Sequence, residues 1–156
     1  MNKIWNSNLA RKTKIQVFCI LIESILLYGS ETWTLSAKQQ HRLDGCYTRL
    51  LRRVLNLSWR NHTILEMIYG DLPRVSTLVR KGRVQFAGHC GRATDELVSL
   101  FVMWRYSSTR NRSRELTHPD RIQRDTSISK EYLLGAMADR EYWKGVVSSI
   151  SAEVAR

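Results

Sequence analysis

Between Ile15 and Tyr28 the chain reads IQVFCILIESILLY, fourteen residues whose one formal charge is Glu23. No other stretch restricts the fold as much. Ile15, Phe18, Cys19, Ile22, Ile25 and Leu26 recur at helical spacing, and Val17, Ile20, Leu21 and Leu27 occupy the remaining sides. With the basic residues that precede it, the spacing predicts a helix over 9–28; a pair of strands is the competing reading of its Ile and Val content. A helix apolar nearly all round must be covered on more than one side. In a chain of 156 residues, that leads to the expectation that part of its packing surface belongs to a segment missing from this sequence. The run falls short of the roughly 20 apolar residues that cross a bilayer, so a buried helix accounts for it better than a membrane span. Gly29 supplies a left-handed stop.

After a turn over 30–36, Ser36 is placed to cap the next helix, with Gln39 in capping-box position. Trp33 in that turn reads as a packing residue that closes the corner rather than a base-stacking platform. Residues 37–56 form the clearest amphipathic helix. Leu43, Tyr47, Leu50, Leu51 and Val54 make one apolar stripe. At about 100° per residue, Arg42, Arg49 and Arg53 fall within a sector of roughly 40°, with Lys38 at its edge and Arg52 pointing elsewhere. A basic face is often merely solvated. Here no acidic residue four positions on neutralises the row, and planar guanidinium groups suit phosphates.

Charge supports a polyanionic partner. The net charge is +11, but it is unevenly spread: residues 1–92 hold 15 Lys and Arg against 5 Asp and Glu, and residues 93–156 hold 10 against 9. Nucleic acid is the first candidate and an anionic membrane surface the second. Cys19, Cys46 and Cys90 are far apart and odd in number, without metal-ligand spacing, which predicts reduced thiols in an intracellular chain and no metal or cofactor. The opening MNKIWNSNLARK lacks the apolar core of a signal peptide. Nuclear and cytoplasmic sites both stay open, since no compact basic run marks import.

Further along, Asn61 can cap a short helix over 62–69, and Gly70 to Pro73 form a turn. A helix over 74–90 places Val75, Leu78, Val79 and Phe86 on one side, with Arg74, Arg80, Lys81 and Arg83 on the rest; Gly82 in its middle weakens it by about 1 kcal/mol. His89 reads as a packing residue. Residues 95–106 continue as a short helix, and 107–127 are polar and Arg-rich, beginning as a flexible loop. Ser129 is expected to cap a helix carrying Leu133, Leu134 and Met137, which Asp139 and Arg140 interrupt before a last amphipathic segment with Trp143, Val146, Val147 and Ile150. A nucleophile built from Cys46, Cys90 or His89 lacks a third group to complete it.

In order along the chain stand LLYGSETWTLS, RLDGCYTRLLRRVLNLSWRNH, LVRKGRVQFAGHCGR and LLGAMADREYWKGVV. This succession resembles the region downstream of the polymerase palm in non-LTR (LINE-type) retrotransposon reverse transcriptases. The likeness runs through Leu27, Tyr28, Gly29, Glu31, Thr32 and Trp33; then Leu51, Arg52, Arg53, Leu55 and Trp59; then Arg80, Arg83, Gly88 and His89; and last Asp139, Arg140 and Trp143. It covers most of residues 9–148. The family polymerises with paired palm aspartates holding two metal ions, and no such motif occurs here; Asp44, Asp71, Asp95, Asp120 and Asp125 are scattered. The glycine-arginine-proline that precedes the family's tail is also replaced, by Ser113, Arg114 and Glu115.

The resemblance implies a thumb and post-thumb segment: a mainly α fold with a small thumb-like helical bundle, an irregular Arg-rich loop and a short C-terminal helical segment. The expected divisions are a basic helical region over 1–93, a short helix and polar linker over 94–128, and a helical tail over 129–156. The expected function is non-catalytic binding of RNA, DNA or hybrid duplex through phosphates, by Lys38, Arg42, Arg49, Arg52, Arg53, Arg80, Lys81 and Arg83. The missing neighbour of the apolar helix would be the palm, and no membrane or small-molecule partner is expected. The rival expectation is a retroelement remnant with no dedicated activity, marginally folded without its palm.

Overall fold

The structure, a computed structural model, describes residues 2–58, 60, 64–93, 97 and 117–152. It is mainly α, with no strand among the described residues. The chain divides into two compact units, Met1–Gly29 with Leu35–Ser76 and Ser30–Thr34 with Thr77–Arg156.

The first unit contains α1 (Asn2–Trp5) and α2 (Arg11–Val17), which runs on through a π-helical stretch (Phe18–Glu23) into α3 (Ser24–Leu26). Gly29 follows with φ +67°, the left-handed stop that its sequence position predicts. α4 (Ala37–Val54) opens on the expected capping box: the Gln39 amide N–H donates to Ser36 Oγ at 3.4 Å, and Gln39 Oε1 accepts from the Ser36 amide at 2.7 Å. α5 (Leu65–Tyr69) comes next, ending at Gly70 with φ +57°.

The core of this unit is aromatic and aliphatic. Phe18, Tyr47, Leu51, Ile68 and Val75 are fully buried, with Trp5, Val54 and Tyr69 beside them. Each fully buried side chain of this size contributes about 1.5–3 kcal/mol, a large share of a small domain's net stability. Phe18 meets Tyr47 edge-on at 5.2 Å between ring centroids, and Tyr69 stacks on Tyr47 at 6.0 Å. Glu23, the lone charge of the apolar run, accepts a hydrogen bond from the Tyr47 hydroxyl. A carboxylate half-way into an apolar core thereby has a partner. α1 and its buried Trp5 carry no sequence signal of their own; Lys14 Nζ donates to the Trp5 carbonyl at 2.8 Å and fastens the segment.

α6 (Val75–Gly91) matches the helix expected over 74–90. It starts in the first unit, where Asp44 accepts both the amide (3.0 Å) and the hydroxyl (2.9 Å) of Ser76, and its later residues belong to the second. The helix serves two cores, Val75 one of them and Val84 and Ala87 the other. The compact units are therefore drawn differently from consecutive segments 1–93, 94–128 and 129–156.

The second unit adds a 3-10 turn (Ser30–Thr32), α7 (His118–Thr126), α8 (Leu133–Ala138) and α9 (Arg140–Ala152). α7 adds a capped helix near the end of 94–128, the stretch read as a short helix and polar Arg-rich linker. Thr117 Oγ1 and the Thr117 amide both donate to Asp120 Oδ2, at 2.6 and 2.9 Å, and Pro119 sits in the first turn. The Thr117-x-x-Asp120 spacing was the signal available in the sequence. The helix buries Ile122 together with Pro119 and Arg121, so its inner face is not an apolar stripe. α8 starts at Leu133 and not beside Ser129, whose carbonyl instead closes a turn with the Tyr132 amide at 3.0 Å. The break at Asp139 is present, and Asp139 Oδ1 caps α9 through the amides of Glu141 and Tyr142, each at 3.0 Å. The helix expected over 95–106 and the loop over 107–116 lie outside the described residues apart from Leu97, as do Trp59 and the cap at Asn61.

Two glycines of α6 permit the packing of this unit. A Cβ on Gly88 would stand 2.2 Å from Trp143 Nε1, and one on Gly91 would stand 2.8 Å from the Met137 side chain. Trp143, buried on α9, donates from Nε1 to the Val84 carbonyl at 2.9 Å. Gly88 and Trp143 belong to two of the motifs quoted above, and they prove to be a packing pair.

Candidate nucleic-acid interface

The amphipathic reading of α4 holds residue by residue. Tyr47, Leu51 and Val54 are buried and Leu43 and Leu50 half-buried, which turns Lys38, Arg42, Arg49 and Arg53 outward, all four exposed. Arg49 Nε reaches back to the Gly45 carbonyl at 3.3 Å, a contact that lays its guanidinium along the helix surface. No ion pair among the described residues holds Lys38, Arg42 or Arg49. Arg52 is half-buried, and its Nη1 donates to the Ser58 carbonyl at 3.4 Å. Arg52 and Arg53 also lie in the last turn of α4, where cations are favoured by the helix dipole whether or not a ligand is present. They line, with Trp5, Asn6, Asn56, Leu57 and Ser58, a cavity of about 380 Å³.

The α6 residues behave differently. Arg83 is 1% exposed, which corrects its assignment to a phosphate-contacting surface. Its Nε and Nη2 each lie 2.7 Å from Asp125 Oδ2, and Nη1 donates to the Trp33 carbonyl at 2.6 Å. A guanidinium so enclosed has no open edge for a phosphate. Arg80 is half-buried and donates through Nε to the Asp125 carbonyl at 3.1 Å, so it too is engaged by α7. Lys81 is half-buried with no partner among the described residues. His89 is exposed, not packed. The eight candidates thus separate into five on α4 in the first unit and three on α6 in the second, one of them internal.

The buried charges set local proton affinities. Burial raises the Asp125 carboxyl, with the Arg83 and Arg80 guanidiniums working against it. His118, whose Nε2 is buried without a hydrogen-bond partner, is pushed down to about 4 by burial and by the charge of Arg83. Arg121 is 9% exposed, with its Nε likewise unmatched. Asp120, against the opposing effect of burial, is held at about 2 by Lys130 and Thr117. In the first unit burial and the Glu23 charge push the Cys19 thiol up to about 11, and burial and the Glu23 hydrogen bond push the Tyr47 phenol far above its usual range. Cys19, Cys46 and Cys90 are free thiols, and burial raises Cys90 as well, opposite to what a reactive thiolate requires.

Three of the scattered aspartates are engaged in structure: Asp44 on Ser76, Asp120 on Thr117 and Lys130, and Asp125 on Arg83. Among the described residues no three His, Cys, Asp or Glu converge as metal ligands. No described helix is long and apolar enough to cross a membrane. Searches of family models, curated proteins and solved structures found no match for this chain.

Proposed function

We propose that this chain is a non-catalytic segment derived from a retrotransposon RNA-directed DNA polymerase, and that it holds a nucleic-acid duplex by its phosphate backbone. The carrying observation is the row Lys38, Arg42, Arg49 and Arg53, exposed along one side of a helix whose other side is buried. Four cations that neutralise about four phosphates give log K a slope near −3.6 against log salt. Contacts of this kind follow the shape of a duplex and not its base edges. Titrating labelled duplex at several salt concentrations tests the reading. The R42A/R49A/R53A variant is expected to lose most of the slope, and equal binding by that variant, or a flat salt response, overturns it.

A second reading has its own supporting observation. Ile20, Ile25 and Tyr28 are 69%, 77% and 88% exposed on or just after the α2–α3 helix, and Leu21 is exposed beside them. Large apolar side chains exposed together on one helix mark an interaction surface or an aggregation liability. In the first reading they form the surface a polymerase palm covers; in the second, the chain is a remnant without dedicated activity. Strong binding of a hydrophobic dye with loss of near-ultraviolet dichroism favours the remnant, and cooperative unfolding of a monomer counts against it.

A further inference from the structure

The second unit contains an open groove of about 480 Å³ between α6 and α9, lined by Lys81, Gln85, Arg92, Arg140, Trp143, Lys144, Val147 and Ser148. Four of those eight are cations and none is acidic. A drug-sized ligand site is lined mostly by apolar side chains with a few polar groups; here six of the eight lining side chains are polar or charged. From the groove we infer that the second unit holds a separate phosphate-binding track for a nucleic-acid strand, made by Lys81, Arg92, Arg140 and Lys144.

The floor of the groove is rigid. Trp143 is buried, hydrogen-bonded to the Val84 carbonyl and seated on Gly88, which fixes α9 against α6 and so the spacing of the cations above it. Arg92 is anchored through Nη1 to the Met137 carbonyl at 2.7 Å, leaving the rest of its fork for a ligand. Lys81 and Arg140 have no partner among the described residues. Lys144 pairs with Glu141 at 2.7 Å, but both side chains are well exposed, and a surface pair of that kind is worth about 0–1 kcal/mol. A phosphate can displace it. Gln85 and Ser148 add neutral donors between the charges.

The dimensions favour a strand over a single phosphate. At about 1.5 Å of rise per residue, Lys81 and Arg92 stand roughly 16 Å apart along the helix direction. A nucleic-acid strand carries one phosphate per about 3.4 Å of helix axis, so that span matches up to about five phosphates. The track rests on residues of the second unit alone, and it stands or falls separately from the row on α4.

The test is a titration of the full chain with a fluorescently labelled single-stranded oligonucleotide over a range of salt concentrations. K81A/R140A/K144A is expected to flatten the salt slope by about 2, at about 0.7 per lost phosphate contact, which corresponds to roughly a hundredfold weaker binding at about 0.1 M salt. The R42A/R49A/R53A background is expected to show the same loss on adding these substitutions, which separates a failure of this groove from a failure of the α4 row. Gln85→Glu places a carboxylate in the groove without disturbing its floor and is expected to weaken binding as well, so the inference stays testable if the triple variant folds poorly. Arg124→Ala removes an exposed cation from α7, outside the groove, and is expected to leave binding unchanged. Wild-type affinity and slope in a folded triple variant overturn the inference. So does an Arg124→Ala loss as large as that of Arg140→Ala, which would reduce the effect to net charge. Displacement of the oligonucleotide by inorganic tripolyphosphate at micromolar concentration also overturns it, by assigning the groove to a compact anion.

Discussion

Among the described residues, only the second unit buries arginine. In the first, the core is Phe18, Tyr47, Leu51, Ile68 and Val75, and the guanidiniums of Arg42, Arg49 and Arg53 stay outside it. In the second, Arg83 and Arg121 are themselves buried, and Asp125 binds Arg83 through its carboxylate. A high count of basic residues therefore says little about binding until each charge is placed. Of the local basic cluster Arg80, Lys81 and Arg83, only Lys81 lines an open surface, and it does so beside Arg140 and Lys144 from a region whose net charge is close to neutral.

The largest test of that contrast is Arg83→Ala. It removes the main partner of a buried carboxylate and leaves the Trp33 carbonyl without its donor, at a cost of about 3–5 kcal/mol. Arg42→Ala, on the exposed row, is expected to shift stability by no more than about 0.5 kcal/mol. Amide hydrogen exchange resolves the two units, and protection should collapse in α7 and α9 with the first substitution only. Equal protection in both variants would mean that Arg83 carries no structural weight.

Glycines sharpen the comparison. Gly88→Ala drives a methyl group into Trp143, and overpacking so rigid a contact is expected to cost about 3 kcal/mol. Gly45→Ala, inside α4 and with nothing within 4 Å of the new Cβ, is expected to gain about 0.5–1 kcal/mol from helix propensity alone. Opposite signs in thermal unfolding are the expected outcome. The same sign at both sites would contradict the packing of Trp143 on α6.

What could be read from the sequence follows the range of the interactions. The Ser36–Gln39 box, the stop at Gly29, the stripe Tyr47, Leu51 and Val54 and the break at Asp139 all depend on residues within a few turns of each other, and each stands where its local pattern puts it. Arg83 is separated from Asp125 by 42 residues, and Trp143 from the Val84 carbonyl by 59. No window of periodicity reaches that far. α7 escaped for a different reason: Ile122 is the one aliphatic side chain on its inner face, and the burial of Pro119 and Arg121 imitates a polar loop. Of the candidate site, the α4 row was legible because a helix with one apolar side fixes where the rest must point. The groove was not, because its cations come from α6, its end and α9.

Titration distinguishes the units on a smaller scale. His118 has a folded value of about 4 against an ordinary 6.5, so the unfolded chain binds the proton first as pH falls. Stability of the second unit is then lost progressively between about pH 6.5 and 4, by about 1–2 kcal/mol once its partial exposure is allowed for. Below that, Asp120, depressed to about 2 from 3.8, withdraws its own contribution. The first unit responds at the other end. Cys19 and Tyr47 are raised above 9.0 and 10.0, so the stability they contribute is complete below those values and declines as pH rises beyond them. Unit-resolved amide exchange from pH 4 to 7 checks the first half of this, and His118→Gln should flatten the response of α7 and α9. A slope unchanged in that variant would assign the acid sensitivity elsewhere.

The smallest expected effect on stability is the most useful for choosing between the two functional readings. Ile20 and Ile25 are 69% and 77% exposed, so the double change to Gln removes little burial and should alter stability by less than about 0.5 kcal/mol. It removes two of the exposed apolar side chains and leaves the arginine row of α4 untouched. If those side chains serve only as a docking surface, the variant loses dye binding and self-association while its duplex affinity and salt slope stay as in the wild type. A destabilisation above about 2 kcal/mol would instead place both side chains in contact with the rest of the unit. The helix apolar on all sides would then already be covered within this chain, and its composition would cease to point to a partner.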